Sequence, residues 1–232
     1  MITTILFDFF GTLVDYRQGA SGDGFRASFG LFRSLGGRLE YVPFLEAWEA
    51  NAESFEREAD RTHVEYPMEL LVGEFLRSEG ISDAHAPSFI ETFIREWNQG
   101  VTFDEASVAT VRQLSGSYAL GVVTNTHLPS LVPGHLRRMG LLDVMSTIVT
   151  SVEVGRRKPH PLIFEAALER LGAAPGETLF VGDSIEADFR GATKAGLHAL
   201  VVGSAGGRHL PDKYRVPSVR DLPVVLERFD RR

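Results

Sequence analysis

Cysteine is absent from all 232 residues. That rules out disulfides and thiolate zinc sites, and suits a reducing compartment. No apolar run approaches the ~20 residues of a membrane-spanning helix, and the opening Met1-Ile2-Thr3-Thr4 lacks the basic segment of a secretory leader. Excess positive charge is missing too. The formal net charge is −7, opposite in sign to the basic patches that neutralise nucleic-acid phosphates. These absences predict a cytoplasmic protein without membrane or nucleic-acid partners; a small-molecule substrate and a monomer or homodimer are expected, although nothing in the sequence decides the oligomeric state.

What is present is ordinary in bulk, with 44% hydrophobic and 24% charged residues, enough for a sizeable core. Short apolar runs alternate with amphipathic stretches. The runs are Ile2–Phe7, Tyr118–Thr124, Thr147–Thr150, Thr178–Gly182 and His198–Val202. Each is nearly continuous, as expected for a strand covered on both faces of a parallel sheet. Helices are predicted between them at Glu105–Leu114, Leu128–Met139, Pro161–Leu171 and Ile185–Ala195, with Gly172 and Gly196 as stops. This alternation implies right-handed crossovers and an α/β fold built on a doubly wound parallel sheet.

The stretch from about Asp15 to Asn98 breaks the rhythm. It shows no convincing strand and reads as successive helices near Phe25–Leu35, Pro43–Ala59, Pro67–Ser78 and Pro87–Trp97. The glycine-rich segment 19–24 leads in, and Asn98-Gln99-Gly100 leads out. The expected organisation is a core of residues 1–15 and 99–232, carrying an all-helical insert over 16–98. The insert's many aromatic residues fit a bundle core at i, i+3 and i+4 spacing better than a pocket lining.

Chemistry-bearing residues collect where the strands end, which is where open parallel sheets bind ligands. Asp8 closes the first run, and Gly11-Thr12 follows it. Thr124-Asn125 closes the second, Lys158-Pro159 lies beyond the third, and Gly182-Asp183-Ser184 closes the fourth with Asp188 a turn later. A carboxylate at a buried strand tip is costly unless cations or donors hold it. Two acids from separate strands suit a hard cation such as Mg²⁺, a lysine balances residual charge, and a threonine hydroxyl with backbone N–H groups can hold an oxyanion.

In this order the segments Asp8-Phe9-Phe10-Gly11-Thr12-Leu13, Val123-Thr124-Asn125, Lys158-Pro159 and Gly182-Asp183-Ser184 through Asp188 resemble the haloacid dehalogenase (HAD) superfamily. The helical insert lies where members of subfamily I carry a C1 cap. The resemblance covers essentially the whole chain. It implies a Rossmann-like core, an aspartyl nucleophile at Asp8, and Lys158 and Thr12 beside it in catalysis. It further implies that Thr124 and Asn125 bind the transferring group. Mg²⁺ would be held by Asp8, the backbone carbonyl of Phe10, Asp183 and Asp188, with Asp188 supporting either the metal or Lys158. For Thr12 and Ser184, turn and capping roles compete with these.

Phe10 departs from the pattern. Phosphatases of the family usually place an aspartate there to protonate the leaving group. Haloacid dehalogenases lack that acid, but they work without metal and do not carry the equivalent of Asp183. A second acid beside Asp8 makes little sense without a cation. The phosphonate-cleaving branch relies on a cap lysine, and residues 15–98 contain none. The expectation is therefore a Mg²⁺-dependent phosphatase of a small anionic metabolite lacking the usual acid. A dehalogenase and a catalytically weak phosphate-binding protein are the alternatives. His127 and His63 are substitute proton donors to consider, although surface or packing roles suit both better. Arg17 and Arg26 could meet an anionic substrate at the insert's entry, but charges near loops are usually just solvated, and neither is taken as a site residue.

Overall fold

The computed structural model describes residues 1–16, 24–203 and 210–230. They divide into two compact units, Met1–Asp15 with Phe103 onward, and Tyr16–Thr102. In chain order, β1 (Thr4–Phe7) is followed by β2 (Asp15–Tyr16), then α1 (Arg26–Ser34), α2 (Tyr41–Thr62), α3 (Met68–Ser78), α4 (Ala86–Trp97) and β3 (Val101–Thr102). Next come α5 (Glu105–Leu114), β4 (Ala119–Thr124), α6 (Leu131–Arg138), β5 (Thr147–Thr150), α7 (Ser151–Val154) and α8 (Pro161–Leu171). The chain continues through β6 (Thr178–Gly182), a π-helix (Ile185–Arg190), α9 (Gly191–Lys194), β7 (His198–Val202), β8 (Arg215–Val216) and α10 (Leu222–Asp230).

The first unit is built on a parallel sheet of order β5-β4-β1-β6-β7-β8. β1 and β6 are buried at every position, as continuous apolar runs require when helices cover both faces. On one face Ile163, Phe164, Ala167 and Leu168 of α8 pack with Leu6, Val123, Val149 and Phe180 from four strands. From β1 the chain builds outward through β4 to β5 on one side, then crosses back to β6 and β7 on the other. The crevice beyond the carboxyl ends of β1, β4 and β6 is the topological switch point.

Five of the six strands match the expected apolar runs. β8 was not anticipated, because two residues carry no periodicity. The helix expected from Leu128 starts at Leu131, since Leu128-Pro129-Ser130 forms a turn closed by Leu131 N–H to the Leu128 carbonyl (3.2 Å). The helix expected over Ile185–Ala195 opens as a π-helix. There the amides of Asp188 and Phe189 both reach the Ser184 carbonyl at 3.1 Å, and the Asp188 carboxylate turns back to accept from the Ser184 N–H at 2.9 Å. Such π turns recur at functional sites.

The second unit is helical, as its patterning implies, apart from the β2–β3 pairing. Phe32, Phe44, Phe75 and Phe89 are fully buried and meet edge-on or tilted at 5.0–6.5 Å. They are the unit's own core. α1 begins after Phe25, which sits in the left-handed region and offers no side-chain cap. The buried carboxylate of Glu96 on α4 caps it instead, accepting from Ala27 N–H (2.7 Å), Ser28 N–H (2.8 Å) and the Ser28 hydroxyl (2.6 Å). Arg26 lies over the Tyr41 ring at 3.6 Å, an intramolecular cation–π contact. Arg17, and the segment 19–23 that leads into the insert, lie outside the described residues.

Candidate active site

Asp8 is the first residue past β1, and its N–H donates to the Val181 carbonyl of β6 at 2.8 Å. The chain then folds back at once. Gly11 N–H donates to the Val14 carbonyl (2.7 Å), and the amides of Leu13 and Val14 converge on the Phe9 carbonyl. Gly11 makes this turn with φ at +83°, a conformation favourable to glycine. A Cβ there would stand 2.5 Å from Oδ2 of Asp183, so the missing side chain also gives that carboxylate its room. Gly182, which ends β6, does the same for the carboxylate of Asp188.

Lys158 joins these elements. Its buried ammonium donates to Oδ1 of Asp8 and Oδ1 of Asp188, both at 2.6 Å. Single carboxylate oxygens of Asp8, Asp183 and Asp188 lie within 4.8 Å of one another. Three acids share one lysine, and their protonation follows from that imbalance. Burial pushes the Asp8 carboxyl up to about 6, with Asp188 and Asp183 adding to the effect and Lys158 opposing it. Burial likewise raises Asp183, again with help from Asp188. For Lys158 burial disfavours the charge, yet Asp188 and Asp8 outweigh it and raise the ammonium above its ordinary value.

Such a surplus of oxygen ligands fits a hard divalent cation. Asp188 has both oxygens engaged, one by Lys158 and one by the Ser184 amide. That ties it first to the lysine. Ser184 also caps the π-helix, accepting from Ala187 N–H at 3.1 Å.

Thr124 is buried at the end of β4. The side-chain oxygen of Thr12 is enclosed and has no hydrogen-bond partner, which leaves a hydroxyl to donate. Asn125 is engaged otherwise than its place beside Thr124 implies. Its side-chain amide takes the Lys158 N–H at 2.8 Å and donates to the Lys158 carbonyl at 3.1 Å. The turn bearing it is fastened from the end of β5. There buried Ser151 accepts from Thr126 N–H (2.9 Å) and donates to the Thr126 carbonyl (3.2 Å). Nothing in the sequence singled out Ser151.

Phe10 is half-buried between Asp8 and Gly11. Its ring stands edge-on to Phe9 (5.0 Å) and to His135 of α6 (6.4 Å). His135 also escaped the sequence reading. Its burial, with Arg138 nearby, holds the imidazole down to about 4, so it is neutral near pH 7 and is no ready acid. His127 lies two residues past Asn125, and His63 ends α2 in the helical unit.

The chain is similar to known hydrolases. The chain is 26% identical over 212 residues to ribulose-1,5-bisphosphate 5-phosphatase of Halopiger xanaduensis, covering 87% of this chain and 84% of that protein. It is 34% identical over 134 residues to phosphoserine phosphatase of Thermus thermophilus, covering 58% and 53% respectively. A solved 2-haloacid dehalogenase from Pseudomonas syringae superposes over 99% of this chain and all of that one, with a TM-score of 0.75 and 22% identity. That likeness is one of fold. A family model described as haloacid dehalogenase-like hydrolase matches residues 2–196, and the chain belongs to that family of hydrolases.

Proposed function

We propose that the protein is a Mg²⁺-dependent phosphatase of a small phosphorylated metabolite, with Asp8 as nucleophile, and that residues 16–98 are its helical cap. The observation that carries this reading is Asp183. It is a third carboxylate beside the Asp8–Lys158–Asp188 group, raised by burial and by its acidic neighbour, and it has no use there without a cation. A metal-free dehalogenase would gain nothing from it. Relatives named as phosphatases of ribulose-1,5-bisphosphate and of phosphoserine support a small phosphorylated substrate.

In this reading an Asp8 carboxylate oxygen attacks phosphorus, the bond to the leaving oxygen breaks, and an acyl phosphate forms on Asp8. Water then attacks that phosphorus, which releases inorganic phosphate and restores the carboxylate. Lys158 orients Asp8 and offsets its charge, while Thr124 and the unpartnered Thr12 hydroxyl would donate to phosphoryl oxygens. Mg²⁺ bound by Asp8 and Asp183, with the Phe10 carbonyl, would neutralise charge on the transferring group. Phe10 supplies no proton, so leaving groups that need little protonation, such as acyl and aryl phosphates, are the favoured substrates.

Phe10 is also the observation that favours a second reading, a 2-haloacid dehalogenase. A panel of p-nitrophenyl phosphate and acetyl phosphate with and without Mg²⁺, and 2-chloropropionate with EDTA, separates the two. Phosphate release that requires Mg²⁺ and disappears in Asp8→Asn is expected. Halide release in EDTA would overturn the proposal.

A further inference from the structure

We infer that Asn125 is a positioning residue that acts through Lys158, gripping the lysine's backbone so that its ammonium is delivered between Asp8 and Asp188. The inference rests on the reading of Asp8 and Lys158 as the reaction centre. The side-chain amide of Asn125 uses its oxygen on the Lys158 N–H and its nitrogen on the Lys158 carbonyl, at 2.8 and 3.1 Å. This is the pairing that a neighbouring strand would make, supplied here by one side chain across 33 residues of sequence.

The grip matters because Lys158 lies outside any strand or helix. A loop residue that must hold a buried ammonium on two acids needs its backbone fixed from without. The other side of the loop is fixed by packing, since a Cβ on Gly191 would stand 3.0 Å from the Pro159 Cα. The Asn125 end is itself anchored, because Ser151 holds both backbone groups of Thr126. A connected path therefore runs from the end of β5 through the β4 turn to Lys158 and on to Asp8.

The chain offers a direct measurement. It has three lysines, Lys158, Lys194 and Lys213. Lys158 is buried, while the other two are exposed and serve as internal references. Brief acetic anhydride labelling with mass spectrometry reads all three in one folded sample. In Asn125→Ala, Lys158 labelling relative to the references should rise at least ~10-fold, with Asn125→Asp, which keeps the acceptor for the Lys158 N–H, in between. Circular dichroism melts confirm that the variants labelled are folded, and either variant suffices if the other is not.

With p-nitrophenyl phosphate and Mg²⁺, kcat of Asn125→Ala should fall ~10- to 100-fold, as a small misplacement of a catalytic group implies. KM and inhibition by inorganic phosphate should stay within ~3-fold. Unchanged Lys158 labelling overturns the inference, as does phosphate inhibition weakened ~10-fold or more, which is the mark of direct contact with the transferred group. A wild-type enzyme that releases no phosphate from any ester would sink the functional proposal alone, because the labelling arm still reads the Asn125–Lys158 link.

Discussion

The ammonium of Lys158 lies 2.6 Å from the Asp8 carboxylate, 150 residues away in sequence, with both groups almost wholly withdrawn from water. Neither could be buried alone at modest cost, and Asp188 completes the arrangement from the other side at the same distance.

Lys158→Met should therefore do more than slow catalysis. It leaves Asp8 and Asp188 buried without their cation, and breaking a buried pair in this way costs about 3–5 kcal/mol. Urea unfolding at pH 7.5 should show that loss, and kcat on p-nitrophenyl phosphate should drop at least ~10²-fold. Added Mg²⁺ should recover part of the stability in this variant, because a divalent ion among three acids does some of the lysine's work. A variant as stable as wild type would contradict this electrostatic account.

Gly182→Ala tests how the site makes room for its acids. The added methyl would fall within the Asp188 carboxylate, which must then leave Lys158 and the Ser184 amide. Overpacking of this kind costs about 1–3 kcal/mol. The displaced acid should lower kcat by ~10- to 100-fold. Full activity in Gly182→Ala would mean that Asp188 can shift without consequence.

His135 governs part of the acid stability. Its imidazole is held near 4 in the folded protein against an ordinary value of 6.5, so the unfolded chain takes up the proton first as pH falls. The stability of neutral His135 is fully present above about pH 6.5 and is lost progressively toward pH 4. The loss is about 2 kcal/mol at pH 5. Asp8 works in the opposite sense, since a carboxyl raised to about 6 destabilises the fold as pH rises from 3.8 through 6. The informative quantity is thus the difference between wild type and His135→Phe, which keeps a ring against Phe9 and Phe10. Urea midpoints at pH 7.5 and 5.0 should fall less steeply in the variant, and equal slopes would count against a buried neutral imidazole.

The strand-end residues were legible because each apolar run stops abruptly at a polar side chain. Asp8, Thr124 and Asp183 stand where the strands β1, β4 and β6 end, and the alternation of elements brings those ends together. What escaped the sequence were choices of partner. Asn125 beside Thr124 reads as a second ligand for the transferring group, yet its amide meets the backbone of Lys158. Glu96 carries no signal in the sequence, yet it caps α1 from 68 residues away. Hydrogen-bond partners so distant in sequence have no local signature, because the contact exists only after the elements have packed. The π turn that contains Asp188 is illegible for the same reason. Its extra residue is accommodated by the carboxylate returning to Ser184, and periodicity predicts only a helix there.

Phe10→Asp addresses the missing acid. A general acid two residues past the nucleophile is worth about 10²–10⁴-fold when the leaving group needs a proton. It is worth far less for p-nitrophenolate, which departs without one. The substitution should thus raise turnover of an alkyl phosphate such as glycerol phosphate by at least ~10-fold, while p-nitrophenyl phosphate changes by less than ~3-fold. It also removes a ring that stands edge-on to Phe9 and His135, and such pairs contribute about 0.5–1.5 kcal/mol each. Phe10→Asn carries the same packing loss without the acid, so its rates provide the baseline. A gain confined to Asp and to alkyl esters assigns the effect to protonation. Equal changes with Asp and Asn, or with both ester classes, would show that the wild-type enzyme is not limited by leaving-group protonation.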